Sequence, residues 1–129
     1  MTGTELIAKE RERQMLEEGY TYEHDDEHDG GALAIAAACY ASPLQIFMCA
    51  QVPGTFNFYD PWPWEGEFDK RPRDSKGNLL DNYYAPTIVS GYAQTKEQRI
   101  RQLAVAGALI AAEIDRLLRL QGDSQSDES

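Results

Sequence analysis

Basic residues are scarce in this chain of 129 residues. There are 12 Lys and Arg against 22 Asp and Glu, which gives a formal net charge of −10 at pH 7. Such a surface repels nucleic-acid backbones and anionic membranes over most of its area. The composition therefore argues against nucleic-acid and membrane-surface binding, although a local basic cluster can still hold a phosphate group.

Cysteine is also rare. Cys39 and Cys49 are too few for a disulfide scaffold and have apolar neighbours, so we expect two buried free thiols in a reducing cytoplasm. The uncharged run 32–50 contains Pro43 and is rich in Ala rather than Leu. This composition favours a buried core helix over a membrane span. We recognise no signal peptide and expect a cytoplasmic protein.

Hydrophobic periodicity predicts a mainly α protein, with three to four helices in one compact domain over residues 1–121. Thr2 and Glu5 form a capping-box pattern at the start of a helix over about residues 4–18. Gly19 is suited to end that helix in a left-handed turn.

The next stretch, 20–31, is polar and ends in two glycines, which predicts a loop with Asp29 as the N-cap of the following helix. That helix, about 31–41, is apolar on nearly every side and therefore belongs in the centre of the domain. For 44–51 the pattern leaves a helical turn and a buried strand equally open.

The last helix is the clearest element, and it begins at a second capping box formed by Thr95 and Gln98. Two stripes follow along it, one at heptad spacing and one of small side chains: Ile100, Leu103, Gly107, Ile110, Ile114 and Leu117, and then Ala104, Ala108 and Ala112. One stripe can cover the first helices while the other meets a second copy, so we expect a homo-oligomer. Residues 122–129 are predicted to be a disordered acidic tail.

Residues 52–94 contain five prolines, most of the aromatic residues and several glycines. A long irregular segment inside a compact domain is usually functional or disordered. Its aromatic content argues against disorder. We expect an ordered loop packed on the helices, with room for a short β-hairpin.

Seven consecutive residues, 23–29, contain five carboxylates and two imidazoles. His24, Asp26 and His28 are candidates for binding a ligand's hydroxyl groups. A metal site is a second interpretation, although the spacing matches no strong zinc pattern. A solvated acidic turn ahead of the next helix is the third.

Trp62 and Trp64 alternate with prolines, and a basic cluster of Lys70, Arg71 and Arg73 follows them. Aromatic rings stack on nucleobases and arginines pair with phosphates, so the combination suits a nucleotide-like ligand. The alternative is that both tryptophans pack in the core while the basic residues only balance the acidic surface.

Paired carboxylates raise the question of a magnesium-dependent nucleotide hydrolase. Glu10 and Glu12 lie on the first helix, and Glu113 and Asp115 lie on the last. Residues two apart diverge around a helix, so neither pair presents both carboxylates in one direction. An exposed charged face is the simpler interpretation.

The chain resembles a family of small, uncharacterised phage and prophage proteins. The resemblance covers most of its length and is carried by these segments: Glu10-Arg11-Glu12-Arg13-Gln14, Glu18-Gly19-Tyr20-Thr21, Glu23-His24-Asp25-Asp26 with His28, Gly31-Ala32-Leu33-Ala34, Trp62-Pro63-Trp64 and AGALIAAEIDRL at 106–117. It implies a phage origin and brings no catalytic residues with it.

A shorter segment, Glu18-Gly19-Tyr20-Thr21-Tyr22 with Arg13 and the acidic residues that follow, is similar to the RyR domain. That module is proposed to recognise nucleotide-derived ligands. The chain lacks the glycine usually found after the second aromatic residue and the later proline-aromatic signature of that domain.

Three functions follow as hypotheses. The first is a phage accessory protein that binds a nucleotide-derived signalling molecule and withholds it from host defence, without a cofactor or metal. Its predicted ligand-binding residues are Tyr20, His24, Asp26, His28, Trp62, Trp64, Lys70, Arg71 and Arg73. The second is a metal-dependent nucleotide phosphohydrolase, and the third is an acidic inhibitor that binds a protein.

Overall fold

The structure, a computed structural model, describes residues 1–27, 30–42, 44–80 and 94–128, the last eight of these by their backbone alone. Within these residues it contains four α-helices and one two-stranded antiparallel sheet, which confirms a mainly α fold with a short hairpin. The elements in chain order are α1 Gly3–Glu17, α2 Tyr22–Asp26, α3 Ala32–Ala41, β1 Met48–Val52, β2 Thr55–Tyr59, a 3₁₀ turn Gly66–Phe68 and α4 Lys96–Glu128.

Helix α1 begins and ends as its sequence predicts. The Thr2 side chain accepts a hydrogen bond from the amide of Glu5, whose carboxylate accepts one from Thr2 in return. Gly19 follows the helix with a φ of 71°, the left-handed conformation that glycine adopts without steric cost. The buried face of α1, however, is polar rather than apolar, because its three buried residues are Glu10, Arg11 and Gln14.

The polar stretch after α1 is not all loop, which corrects the prediction for 20–31. Tyr22–Asp26 forms the short helix α2, and the Thr21 side chain caps it by accepting a hydrogen bond from the amide of His24. A single capped turn of this kind leaves little periodicity in a sequence. Asp29 lies outside the described residues, and the N-cap of α3 is Gly31.

Helices α1, α2 and α3 all pack against α4. The core between α3 and α4 is built from Leu33, Leu109 and small side chains that allow a close approach of the two helices: Ala36, Ala37, Ala106 and Ala112. The Ala104/Ala108/Ala112 stripe is therefore the buried one. Gly107 lets α1 come close, since a Cβ there would lie 2.6 Å from the Cδ1 of Ile7.

Helix α4 also closes the end of α3. Arg99 is buried, and its guanidinium donates hydrogen bonds to the carbonyl oxygens of Tyr40 and Ala41, which have no partner within their own helix. The backbone of α4 remains helical to Glu128, past the boundary expected at Gly122, because one glycine inside a helix costs only about 1 kcal/mol.

No helix within the described ranges combines the length and the apolar character that a membrane crossing requires.

The hairpin β1–β2 stands off the helical core. All ten of its residues are exposed, including Phe56 and Phe58. Cys49 pairs with Phe58 in this sheet and is exposed, which corrects the prediction that both thiols are buried. Cys39, on α3, is buried as predicted, and burial raises the pKa of its thiol to about 11.

Candidate functional site

An aromatic cleft lies where the segment after the hairpin meets the helices. It consists of two adjoining cavities that share Tyr20, Trp64 and Phe68 in their walls. The inner cavity, of about 290 Å³, reaches down to α1 and α4, and the outer cavity, of about 550 Å³, opens past His24. Volumes of this order suit a small organic ligand.

The two tryptophans are held by hydrogen bonds and by each other. The amide of Trp62 donates to the Asp60 carboxylate at 2.9 Å, and its indole Nε1 donates to the carbonyl of Glu65 at 3.2 Å. The rings of Trp62 and Trp64 meet edge to face, with centroids 5.5 Å apart and planes at 89°. They form a corner of the cleft rather than one flat wall, and both also pack on the core.

Tyr20 and His24 also line the cleft. Their rings are stacked with centroids 4.5 Å apart and planes only 4° from parallel. Burial, together with the neighbouring Glu18 carboxylate, raises the pKa of Tyr20 to about 12, so its phenol stays neutral at physiological pH. The pair adds a second aromatic surface to the lining of the outer cavity, which also contains Trp64.

Tyr40 and Lys70 connect the cleft to the core. The hydroxyl of Tyr40 accepts a hydrogen bond of 3.0 Å from the amide of Lys70, which anchors the loop on α3. Burial raises the pKa of this phenol well above its usual range. The ammonium group of Lys70 is on an exposed side chain that lines the inner cavity and forms no salt bridge with any described residue.

Two further cations reach the inner cavity, and they share a buried carboxylate. Glu10 is 3% exposed and accepts hydrogen bonds from both Arg13 and Arg101. Arg13 also pairs with Glu18 at 2.9 Å. The outer cavity is lined instead by three glutamates, Glu27, Glu65 and Glu67. An anionic group is therefore favoured at the inner cavity and repelled at the outer one.

Arg71 and Arg73, expected to hold phosphates, are paired with aspartates outside the inner cavity. Arg71 is buried, pairs with Asp69 at 2.7 Å and with Asp60 at 3.1 Å, and lies over the ring of Trp62. Arg73 pairs with Asp69 at 2.9 Å. These guanidinium groups hold the loop that carries Trp62 and are thereby indirect supports of the cleft.

The residues of segment 23–29, which contains the five carboxylates and two histidines, lie in different surroundings. His24 lines the outer cavity, but Asp26 pairs with Arg119 of α4 at 2.6 Å, away from the cleft. Asp25 is fully buried and pairs with Arg11 at 2.9 Å. His28 lies outside the described residues. Of the predicted ligand residues, the structure thus brings Tyr20, His24, Trp62, Trp64 and Lys70 to one cleft.

Two glutamines that the sequence did not single out also line the inner cavity. Gln14, on α1, is 1% exposed, and Gln102, on α4, is 5% exposed. Neither Oε1 atom has a hydrogen-bond partner among the residues described. Both occupy core-facing positions where an apolar side chain is usual. A polar residue at such a position is the signal that could have identified them.

Comparisons of this chain with protein-family models, with curated proteins and with solved structures found no match. The geometry of the cleft is therefore the structural observation on which a proposed function must rest. Within the described ranges, no three His, Cys, Asp or Glu side chains are grouped so that they could share a metal ion.

Proposed function

We propose that this is a phage accessory protein that binds a nucleotide-derived signalling molecule and sequesters it from host defence in the cytoplasm of the infected bacterium. The observation that carries the proposal is the aromatic cleft, in which Trp64 and Tyr20 stand over a cavity with cations at its edge. The phage origin rests on the sequence resemblance. Retention without turnover is proposed because the described residues of the cleft include no cluster of metal-binding side chains.

The charges of the cleft suggest how such a ligand lies. Its planar base enters the inner cavity against the aromatic rings, since base–aromatic stacking is favourable for every base. Its phosphate groups lie toward Lys70, whose ammonium is available, and Arg101, which is half exposed. The carboxylates of Glu27, Glu65 and Glu67 line the outer cavity and repel the phosphate groups from it.

The prediction for the cleft is that Trp64→Ala weakens nucleotide binding by roughly 1–3 kcal/mol while the protein remains folded. Purified protein is incubated with a lysate that contains nucleotide immune signals, washed and heated, and the released molecules are identified by mass spectrometry. The wild type should release a nucleotide in stoichiometric amount. Phe56→Ala, which removes an exposed ring of the hairpin, is the matched control and should bind normally.

Failure to retain any nucleotide from such a lysate would contradict the proposal. If Trp64→Ala instead unfolds the protein, then Trp64 is a core residue and the alternative interpretation of the tryptophans is right.

The second candidate is a metal-dependent phosphohydrolase, and ion pairs count against it. Three of the carboxylates considered for metal binding are already paired with arginines: Glu10 with Arg13 and Arg101, Asp25 with Arg11, and Glu113 with Arg116. Binding a cation there would require those pairs to separate.

We therefore expect a bound nucleotide to be recovered intact after prolonged incubation with magnesium, manganese or zinc. Chromatography of the mixture measures this. A product that forms with the wild type and disappears with Asp25→Asn or His24→Ala would make the protein an enzyme.

An acidic protein-binding inhibitor, the third candidate, would instead show salt-sensitive binding to a basic protein.

A second copy of the chain is the proposed partner at the heptad stripe of α4. Its aliphatic members are all exposed by between 43% and 51%: Ile100, Leu103, Ile110, Ile114 and Leu117. The stripe runs over eighteen residues, from Ile100 to Leu117, and spans roughly 26 Å, which is long enough for a helix–helix contact. Ile7 of α1 packs at Gly107 in the middle of the stripe, so the exposed aliphatic residues on either side of Gly107 form the surface proposed to meet an identical helix across a two-fold axis.

A further inference from the structure

Gln14 and Gln102 are buried although the Oε1 atom of each lacks a hydrogen-bond partner in the part of the chain that the structure describes. They come from different helices, α1 and α4, yet both line the inner cavity. Buried side-chain carbonyl oxygens almost always accept a hydrogen bond. The Oε1 atoms of these two residues accept none from the described part of the chain, which destabilises the folded protein.

The surrounding side chains show what a purely structural core would contain. On α4, Gln102 is followed on the same helix face by Val105 and Leu109, which line the same cavity. A leucine or methionine at position 102 would continue this apolar surface without an unpaired oxygen. The Oε1 atom of Gln102 therefore loses its hydrogen bonds to water on folding and receives none in return from the described residues.

We infer that Gln14 and Gln102 determine which nucleotides the cleft accepts, by binding the exocyclic amino group of the base. An amino group donates two hydrogen bonds, and two carboxamide oxygens can accept them. The terminal torsion of glutamine has a broad energy profile, so each amide can turn toward a ligand at little cost. In nucleic-acid recognition, the carboxamide oxygen of Asn or Gln likewise accepts a hydrogen bond from the 6-amino group of adenine, although there one carboxamide also donates to N7. The inference rests on the proposed function and names the ligand class, an aminopurine nucleotide.

The test uses two probes that differ in one group: adenosine 5′-diphosphate and purine riboside 5′-diphosphate, in which hydrogen replaces the 6-amino group. Isothermal titration calorimetry of the wild type should give at least about tenfold tighter binding of the adenosine probe. Gln14→Met and Gln102→Met keep the side-chain length and should each remove most of this preference. Gln51→Met, on the exposed strand β1, is the control and should keep it.

A thermal melt of the ligand-free variants separates recognition from packing. Because each methionine removes an unpaired buried oxygen, both cavity variants should melt at the wild-type temperature or above it. A lower melting temperature in both would mean that the glutamines stabilise the core, which contradicts the inference. Equal binding of the two probes by the wild type overturns the inference and leaves the proposed function intact. Binding of neither probe, while a different nucleotide is retained from lysate, overturns only the aminopurine assignment.

Discussion

Arg71→Met is expected to lower the free energy of unfolding by about 3–5 kcal/mol, the usual effect of removing one partner of a buried ion pair. The side chain of Arg71 is 6% exposed and that of Asp69 only 3%. Without the guanidinium, the carboxylate of Asp69 stays buried with a single, more exposed partner, Arg73. Chemical denaturation followed by circular dichroism measures the change.

Arg73→Met is the matched control for this prediction. Arg73 pairs with the same carboxylate, but its side chain is 43% exposed, so its removal should cost at most about 1 kcal/mol. Equal destabilisation by the two variants would show that burial of Arg71 does not matter and that the ion pairs around Asp69 act as ordinary surface pairs.

The same ion pair gives stability a dependence on pH. Burial alone would raise the pKa of Asp69, but the hydrogen bonds and charge of Arg71, with Arg73, outweigh burial and hold that pKa below its usual range. A carboxyl group whose pKa is lower in the folded state contributes stability above its unfolded pKa, near about 4, and loses it as pH falls through the folded value. The difference between the wild type and Arg71→Met should therefore shrink below about pH 4. Parallel stability curves from neutral to acid pH would contradict this.

The helices were predictable from the sequence wherever local signals act alone. Thr2 with Glu5 and Thr95 with Gln98 form the capping boxes that the sequence contains, because a capping box needs only residues three apart. The exposure of Cys49 was not predictable, because its apolar neighbours in the sequence indicated burial. A hairpin that stands off the core exposes such neighbours, and that placement depends on tertiary packing.

In the candidate site, too, the sequence reveals only those residues that lie close together along the chain. Trp62, Trp64 and Lys70 were identified because aromatic and basic residues cluster along the chain itself. Gln14 and Gln102 were missed because 88 positions of sequence separate them, and only the packing of α1 on α4 brings them to one cavity. Arg71 was assigned to phosphate because the sequence does not show that Asp69 and Asp60 surround it.

The heptad stripe of α4 carries the other large expected effect. We expect the wild type to form a two-fold dimer at tens of micromolar, and Ile114→Asp to weaken it at least about hundredfold, which corresponds to roughly 2.7 kcal/mol. Ile114 is 51% exposed, so a charge at this position leaves the fold of the single chain intact. In a symmetric helix pair every substitution occurs twice, and two carboxylates would then lose their water within one apolar contact.

Sedimentation velocity over a dilution series measures this equilibrium. Leu44→Asp places the same charge on a side chain that is 53% exposed but lies outside α4, and it should leave the dimer unchanged. The cleft is lined by a different face of α4, through Gln102, Val105 and Leu109, so Ile114→Asp should retain nucleotide as the wild type does. A wild-type chain that sediments as a monomer at these concentrations, or an Ile114→Asp variant that still dimerises, would mean that the exposed stripe serves some contact other than a second copy of this helix.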